Sequence, residues 1–476
     1  MYLVAFVSLG LQIRGLVGEH GVEPIHDLMD DAHRFFDAQH VGVDRYRQVP
    51  TLAWIDASDV SLVGECTAGA ALAVLVIVDI LPGPSLVLLW GLYLSVSVAG
   101  QDFLSFQWDI LLTEAGFLAI FLAPWQRHLR PPRDHAPSLI SIWLLRWLGF
   151  RLMVESGAVK LLSGDATWRN LTALRFHFQT QPLPTWIGWY AHQLPAWWQM
   201  TSCVLMFAIE LGAPWLVFAP RRGRLVGFTA VAALQILILL TGNYGFFNYL
   251  TIAICFLWLD DGFLARVTPA RLWRLLGGQG GDAVPRSPFH AVRRHVAPAA
   301  VALVVVPVSI AQFTGVSSAF LAPVRAAEAW LQPLRTVNSY GLFAVMTTRR
   351  LEIQIEGSDD DVTWKPYEFR YKPGDAAARP RFVEPYQPRL DWQMWFAALG
   401  TARQNPWFTN LCVRLLQGSP DVLGLLASNP FPDHPPRYVR AELFDYRFTT
   451  YAERRATGAW WVRTPVGEYL GAGSLR

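Results

Sequence analysis

The chain has 476 residues, of which 53% are hydrophobic and only 16% charged, and its mean hydropathy is +0.26. Soluble domains carry about 25% charged residues, so the composition excludes an ordinary globular protein. A net charge of +3 without a Lys/Arg-rich face excludes a nucleic-acid partner.

The missing charge is unevenly distributed. Residues 1–316 hold 42 charged side chains, whereas residues 317–476 hold 35, which is close to the soluble norm. The predicted fold is therefore an α-helical multi-pass membrane domain over 1–316, followed by a water-soluble domain over 317–476. At the amino-terminus, residues 2–13 are apolar with no charged leader. They read as the second half of a span rather than a signal peptide, with the true start lying upstream. His26, Asp30, His33, Asp37 and His40 then recur at helical spacing opposite Ile25, Leu28, Met29, Ala32, Phe35 and Phe36. An amphipathic surface helix explains both faces without a metal.

Apolar stretches long enough to span a bilayer follow at 62–81, 84–100, 110–125, 139–162, 197–218, 225–241, 246–259 and 296–316. With the first stretch, this gives about eight or nine transmembrane helices. Three connections are arginine-dense: 126–138, 221–224 and 260–295. With nine spans all three share one side, and the positive-inside rule makes that side cytoplasmic. The carboxy-terminal domain then lies outside. Arginine outnumbers lysine 37 to 3, the habit of a GC-rich bacterial coding sequence. This places the protein in a bacterial inner membrane.

In the tail, 319–334 has helical spacing. Leu351, Ile353 and Ile355 alternate with polar residues, as do Tyr367, Phe369 and Tyr371 beyond a turn at 357–361. These predict a hairpin or meander. Residues 391–399 and 406–416 look helical, and 438–451 alternates again. The prediction is a small α+β domain with an antiparallel sheet. Its short connection to the last span predicts that it folds against the membrane half.

Three groups of residues can carry function. The first is the set of ionisable residues within spans, which usually face an interior or a cavity. Arg151 and Glu155 are four apart and can pair. Lys160, Glu114 and Glu210 complete the set, with Lys160 and Glu114 the candidate catalytic pair if this is an enzyme. Structural pairing, with Lys160 reaching to the interface, is the plainer alternative. The second group is an outer rim that converges from three loops. It comprises Asp102, Gln107, Trp108 and Asp109, then Arg169, His177 and Gln181, then Asn243 and Tyr244. The third lies in the tail, where Asp391, Trp392, Trp395 and Phe396 can form a docking surface or fill the core. Cys66, Cys203, Cys255 and Cys412 form no CxxC pair, and no sequence motif calls for a metal or a cofactor.

Several long strings identify a family. "NSYGLFAVMT" (338–347), "EGSDDDVTWKPYEFRYKPGD" (356–375), "QPRLDWQMWFAALG" (387–400), "QWDILLTEAGFLAIF" (107–121), "RNLTALRFHFQTQPLP" (169–184) and "GNYGFFNYLT" (242–251) together resemble the lipase maturation factor family. The resemblance implies a multi-pass, chaperone-like protein that helps secreted lipases, or similar exported proteins, to fold and assemble. It implies the endoplasmic reticulum membrane for eukaryotic members, with the tail in the lumen, and a secreted client and membrane lipids as partners. A second stretch, "FRLMVESGAVKLLSGDATW" (150–168), is similar to part of the vitamin K-dependent carboxylase and related transmembrane proteins. That similarity implies the rival reading, an enzyme acting on a lipid, quinone-like or peptide substrate around Lys160.

Overall fold

The computed structural model describes residues 1–125, 137–275, 288–315 and 321–475. Its helices follow the apolar stretches of the sequence: α1 (Tyr2–Gly10), α2 (Ile13–Val17), α3 (Ile25–Ala38), α4 (Asp59–Ile77), α5 (Pro82–Ala99), α6 (Gln107–Ile120) and α7 (Leu139–Leu162). Then come α8 (Leu174–Thr180), α9 (Trp186–His192), α10 (Ala196–Phe207), α11 (Arg221–Thr241), α12 (Phe247–Phe256) and α13 (Pro288–Thr314).

Among the described residues, five helices are long and apolar enough to cross a membrane: Asp59–Ile77, Pro82–Ala99, Ala196–Phe218, Arg221–Thr241 and His295–Thr314. The expected count of eight or nine is not reached, for identifiable reasons. α6 has 14 residues and α12 has 10, while α7 is long enough but carries Arg146, Arg151, Glu155 and Lys160. The amino-terminal stretch packs against α4. It breaks after Gly10, and Phe6, Leu9, Ile13 and Leu16 are buried within the protein. Gln12 is buried too, donating to the Gln387 carbonyl at 2.8 Å and accepting from the Arg389 N–H at 2.9 Å. The arginine-dense segments at 126–136 and 276–287, and the expected boundary at 316/317, lie outside the described residues.

α3 is amphipathic as expected, burying Ile25, Met29, Ala32 and Phe36. The His/Asp stripe faces outward, with the His33 ring set edge-on against Trp54 at 4.8 Å. Phe35, expected on the apolar face, is exposed.

The tail contains α14 (Ala322–Leu331), β1 (Arg350–Ser358), β2 (Lys365–Pro366), α15 (Arg389–Ala397), α16 (Pro406–Leu416), β3 (Tyr438–Phe448), α17 (Tyr451–Thr457) and β4 (Trp461–Gly473). Its sheet is antiparallel, in the order β2-β1-β3-β4. Ile353 and Ile355 point into the core as the alternation predicts. The expected second strand over 367–371 shrinks to β2. One reason is that the Asp391 carboxylate takes the backbone N–H groups of Tyr371 and Lys372, at 2.8 Å each, which a ladder would otherwise use.

One continuous apolar core joins the two halves, running from Tyr2, Phe6 and Tyr93 through Trp108 and Leu148 to Ile353, Trp392 and Leu411. A second core surrounds Met153, Trp168, Cys203 and Trp258, and a third gathers Trp189, Phe448 and Trp461.

Candidate functional site

The polar residues of the membrane half fall into two places, and α7 divides them. Arg151 and Lys160 are nine residues apart on this helix, two and a half turns, which sets them on opposite faces. One face meets the tail along a seam. The other borders a cavity.

The seam is a chain of buried ion pairs closed by the tail. Asp109, fully buried at the start of α6, accepts from both terminal nitrogens of Arg389 at 2.8 and 2.9 Å and from the Tyr93 hydroxyl at 2.5 Å. Glu114, one turn further along α6, is ion-paired with Arg151. It also accepts from the backbone and side-chain N–H groups of Asn338, at 2.9 and 3.0 Å, and from the Tyr340 hydroxyl at 2.7 Å. Glu155 accepts from the Tyr340 N–H at 2.7 Å and stands 4.0 Å from Arg151. Gln107 accepts from the Gly341 N–H at 3.1 Å. On the other side of the tail, Arg350 pairs with Glu352 at 2.6 Å and donates to the carbonyls of Gln179, Gln181 and Pro182. A buried charge survives only when paired and hydrogen-bonded, and here the tail supplies most of the partners.

The expected outer rim does converge, but beneath the tail rather than in the open. Trp108 stacks on Phe106 at 4.5 Å and meets Trp392 edge-on at 4.7 Å. Asn243 donates to the Leu183 and Arg381 carbonyls and accepts from the Val383 N–H at 2.7 Å. The Tyr244 N–H donates to Glu384, and burial pushes that carboxyl up to about 8 against the opposing pull of this bond. Asp102 and Arg169 are exposed and stand apart from this cluster.

The docking surface expected of the tail reduces to one residue. Asp391 is buried, and burial pushes its carboxyl up to about 6 although the N–H groups of Lys372 and Tyr371 oppose it. Trp392 is buried, and Trp395 donates its indole N–H to the Thr180 carbonyl at 2.7 Å inside the protein. Phe396 alone is exposed, at 40%.

The cavity, of about 400 Å³, lies among α7, α8, α10, α11 and α12 and is capped by Leu342 and Phe343 of the tail. Lys160, His177 and Tyr244 line it; Glu114 does not, so the two candidate catalytic residues are separated. All three ammonium hydrogens of Lys160 have acceptors: the two Glu210 carboxylate oxygens at 2.9 and 2.8 Å and the Ser156 carbonyl at 2.9 Å. The Trp168 ring lies 5.6 Å from the ammonium. Burial, with Lys160 nearby, lowers the His177 imidazole to about 4, so it is neutral.

The geometry at Glu210 has a local cause. Pro214 has no N–H to give the Glu210 carbonyl, so the helix loosens into a π turn at Ala208–Gly212 and a 3₁₀ turn at Ala213–Phe218. Gly157 admits this turn against α7. A Cβ there would lie 2.8 Å from Leu211 Cδ2 and 3.0 Å from Glu210 Cβ.

Sequence reasoning placed Glu210 within a span but did not pair it with Lys160. It passed over Gln235 and Asn248 in the cavity wall, and Arg389, Asn338 and Tyr340 in the seam. The last three lie within strings that carry the family resemblance, which was the available signal.

A polytopic helical domain whose buried charges are completed by a small α+β tail is the class of protein defined here. The family model for the lipase maturation factor transmembrane domain matches residues 1–266, and that for the lipase maturation factor C-terminal domain matches residues 336–471. The chain is 36% identical to lipase maturation factor 2 of Homo sapiens, covering 100% of this chain and 81% of that one. It is 35% identical to lipase maturation factor 2 of Xenopus tropicalis, covering 99% and 80%, and 34% identical to lipase maturation factor 1 of Mus musculus, covering 99% and 84%. No solved structure matches. The chain belongs to the lipase maturation factor family. These relatives are vertebrate proteins, so the bacterial source expected from arginine usage, and the inner-membrane location drawn from it, are not borne out.

Proposed function

We propose that this protein is a membrane-embedded maturation factor that assists secreted lipases, or similar exported proteins, to fold and assemble. What carries the reading is similarity over nearly the whole chain, in both halves, to proteins named for lipase maturation. The chain divides near 316/317 into a membrane domain and a tail, and the tail lies on the lumenal side, where exported clients fold. The client meets the tail, with Phe396 part of its contact surface. The enzyme alternative gains no support: Glu114 lies outside the cavity, and Lys160 is held in a buried pair with Glu210 and by the Ser156 carbonyl.

The test is complementation. The protein is expressed with a secreted lipase in cells deprived of their own maturation factor. Active lipase per unit of lipase mass in the medium should rise. An unchanged ratio, with the protein at normal membrane levels, would remove the reading.

A further inference from the structure

The cavity beside Lys160 has features that client folding does not use. Its mouth is apolar and faces outward. Trp198 and Leu205 on α10 and Leu237 on α11 line it, yet are 49%, 57% and 60% exposed. Both helices belong to stretches long and apolar enough to cross a membrane. An exposed apolar flank on such helices meets acyl chains, and a mouth between them opens to the same medium. The volume falls within the roughly 300–1,000 Å³ typical of small-molecule sites.

The wall also presents two acceptors without donors. Asn248 is buried and donates its amide N–H to Gln235 Oε1 at 2.8 Å, but its Oδ1 has no partner. The second acceptor follows from counting hydrogens. The Tyr244 hydroxyl gives its one hydrogen to Gln181 Oε1 at 2.7 Å. Its 3.4 Å contact with His177 Nε2 then requires the hydrogen to be on Nε2. That leaves Nδ1 as a bare lone pair, buried and unpartnered. Buried polar groups are normally satisfied, so two unmet acceptors in one cavity ask for a ligand with donors. The head of that ligand is uncharged, because Lys160 is already neutralised by Glu210.

We propose that this cavity binds a neutral single-chain lipid with a hydroxylated head, of the monoacylglycerol class. Its tail lies between α10 and α11, and its hydroxyls donate to Asn248 Oδ1 and His177 Nδ1. A fatty acid fits worse, since its carboxylate accepts rather than donates and would sit beside Glu210. No covalent step is involved.

The experiment uses the full-length protein in lipid nanodiscs and a monoacylglycerol with a photoreactive diazirine on its acyl chain. After irradiation, labelled peptides are mapped by mass spectrometry. Label should concentrate in residues 196–241, and 1-monooleoylglycerol should displace it about 25- to 100-fold better than oleate or methyl oleate, the return from two buried hydrogen bonds at about five- to tenfold each. Asn248→Leu, close to isosteric, removes one of the two bonds and should weaken that displacement about five- to tenfold. Ser202→Trp, which fills the cavity, should abolish the label. Both variants are compared at a wild-type melting profile, and the wild-type competition decides the matter even where a variant misfolds. Label spread evenly over all spans, equal displacement by the three lipids, or a silent Asn248→Leu would each overturn the proposal. No client enters this assay, so its failure would leave the maturation reading untouched, and failed complementation would leave the cavity untouched.

Discussion

The seam and the cavity lie on opposite faces of one helix and are built from the same residue types, yet they are finished differently. Along the seam, Glu114 and Asp109 each gather several donors, and the tail provides Asn338, Tyr340 and Arg389 for the purpose. In the cavity, Lys160 and Glu210 satisfy each other while Asn248 and His177 keep acceptors unmet. Burial of charge is therefore a poor guide to function by itself. What separates the two is where the unmet groups stand: Arg151 Nε, Arg389 Nε and Glu155 Oε1 in the seam also lack partners but are packed over by the tail, whereas Asn248 and His177 line a cavity with room for a ligand.

The comparison breaks most readily at Arg389. Arg389→Ala leaves Asp109 buried and uncompensated, which should destabilise the protein by about 3–5 kcal/mol. The measurement is membrane level by immunoblot and melting temperature in detergent. Pairing it with Asp109→Leu should recover most of the loss, because a seam that only joins tolerates an apolar replacement. Failure of that rescue would mean the pair does more than join.

At the cavity, Gly157→Ala drives a methyl group into Leu211 and the Glu210 turn. It should cost about 1–3 kcal/mol by overpacking, read from the same melting curves. It should also lower photolabelling of residues 196–241, which no seam substitution of equal cost should do.

A gentler probe is pH. Burial raises the folded Glu384 carboxyl from 4.5 to about 8, so the folded chain holds this proton more tightly than the unfolded one. Its contribution to stability is fully present below pH 4.5 and is lost as pH rises toward 8. Asp391, raised from 3.8 to about 6, acts in the same direction over a lower window. The melting temperature should fall by about 2–4 °C between pH 5 and 8, and Glu384→Gln should flatten that slope. A wild-type curve rising over this range would contradict the assignment.

The smallest effect on stability belongs to a residue outside both regions. Phe396→Ala, which loses ring contacts with Phe106 and Trp395, should cost about 1 kcal/mol while lowering the yield of active client in the complementation assay. Trp395→Ala cannot serve for this purpose. It empties a buried site, at about 3–5 kcal/mol, and would lower client yield through loss of the protein itself.

Much of the fold was legible because apolar length and alternation are local properties. α16 and the buried Ile353 and Ile355 follow directly from them. The pairing of charges was not legible, because it is a property of tertiary distance. Arg151 and Glu155, matched by helical spacing, stand 4.0 Å apart, while the arginine's main partner is Glu114 on another helix. Asp109 and Arg389 are 280 residues apart. Part of the outer rim comes together, without Asp102 and Arg169, but it does so beneath the tail, which nothing in those loops announces. Similarly, Trp392 and Trp395 read as anchors or as core, with core favoured more for Trp392, until their neighbours are known.

The dependence of the seam on the tail sets an order of events during synthesis. Glu114 and Glu155 acquire their Asn338 and Tyr340 donors, and Asp109 its arginine, only once the ribosome has passed residue 389 and the tail has docked. Until then the nascent membrane half holds carboxylates that its own helices leave short of donors. A chain that stops before residue 338 therefore keeps Asp109, Glu114 and Glu155 without these donors.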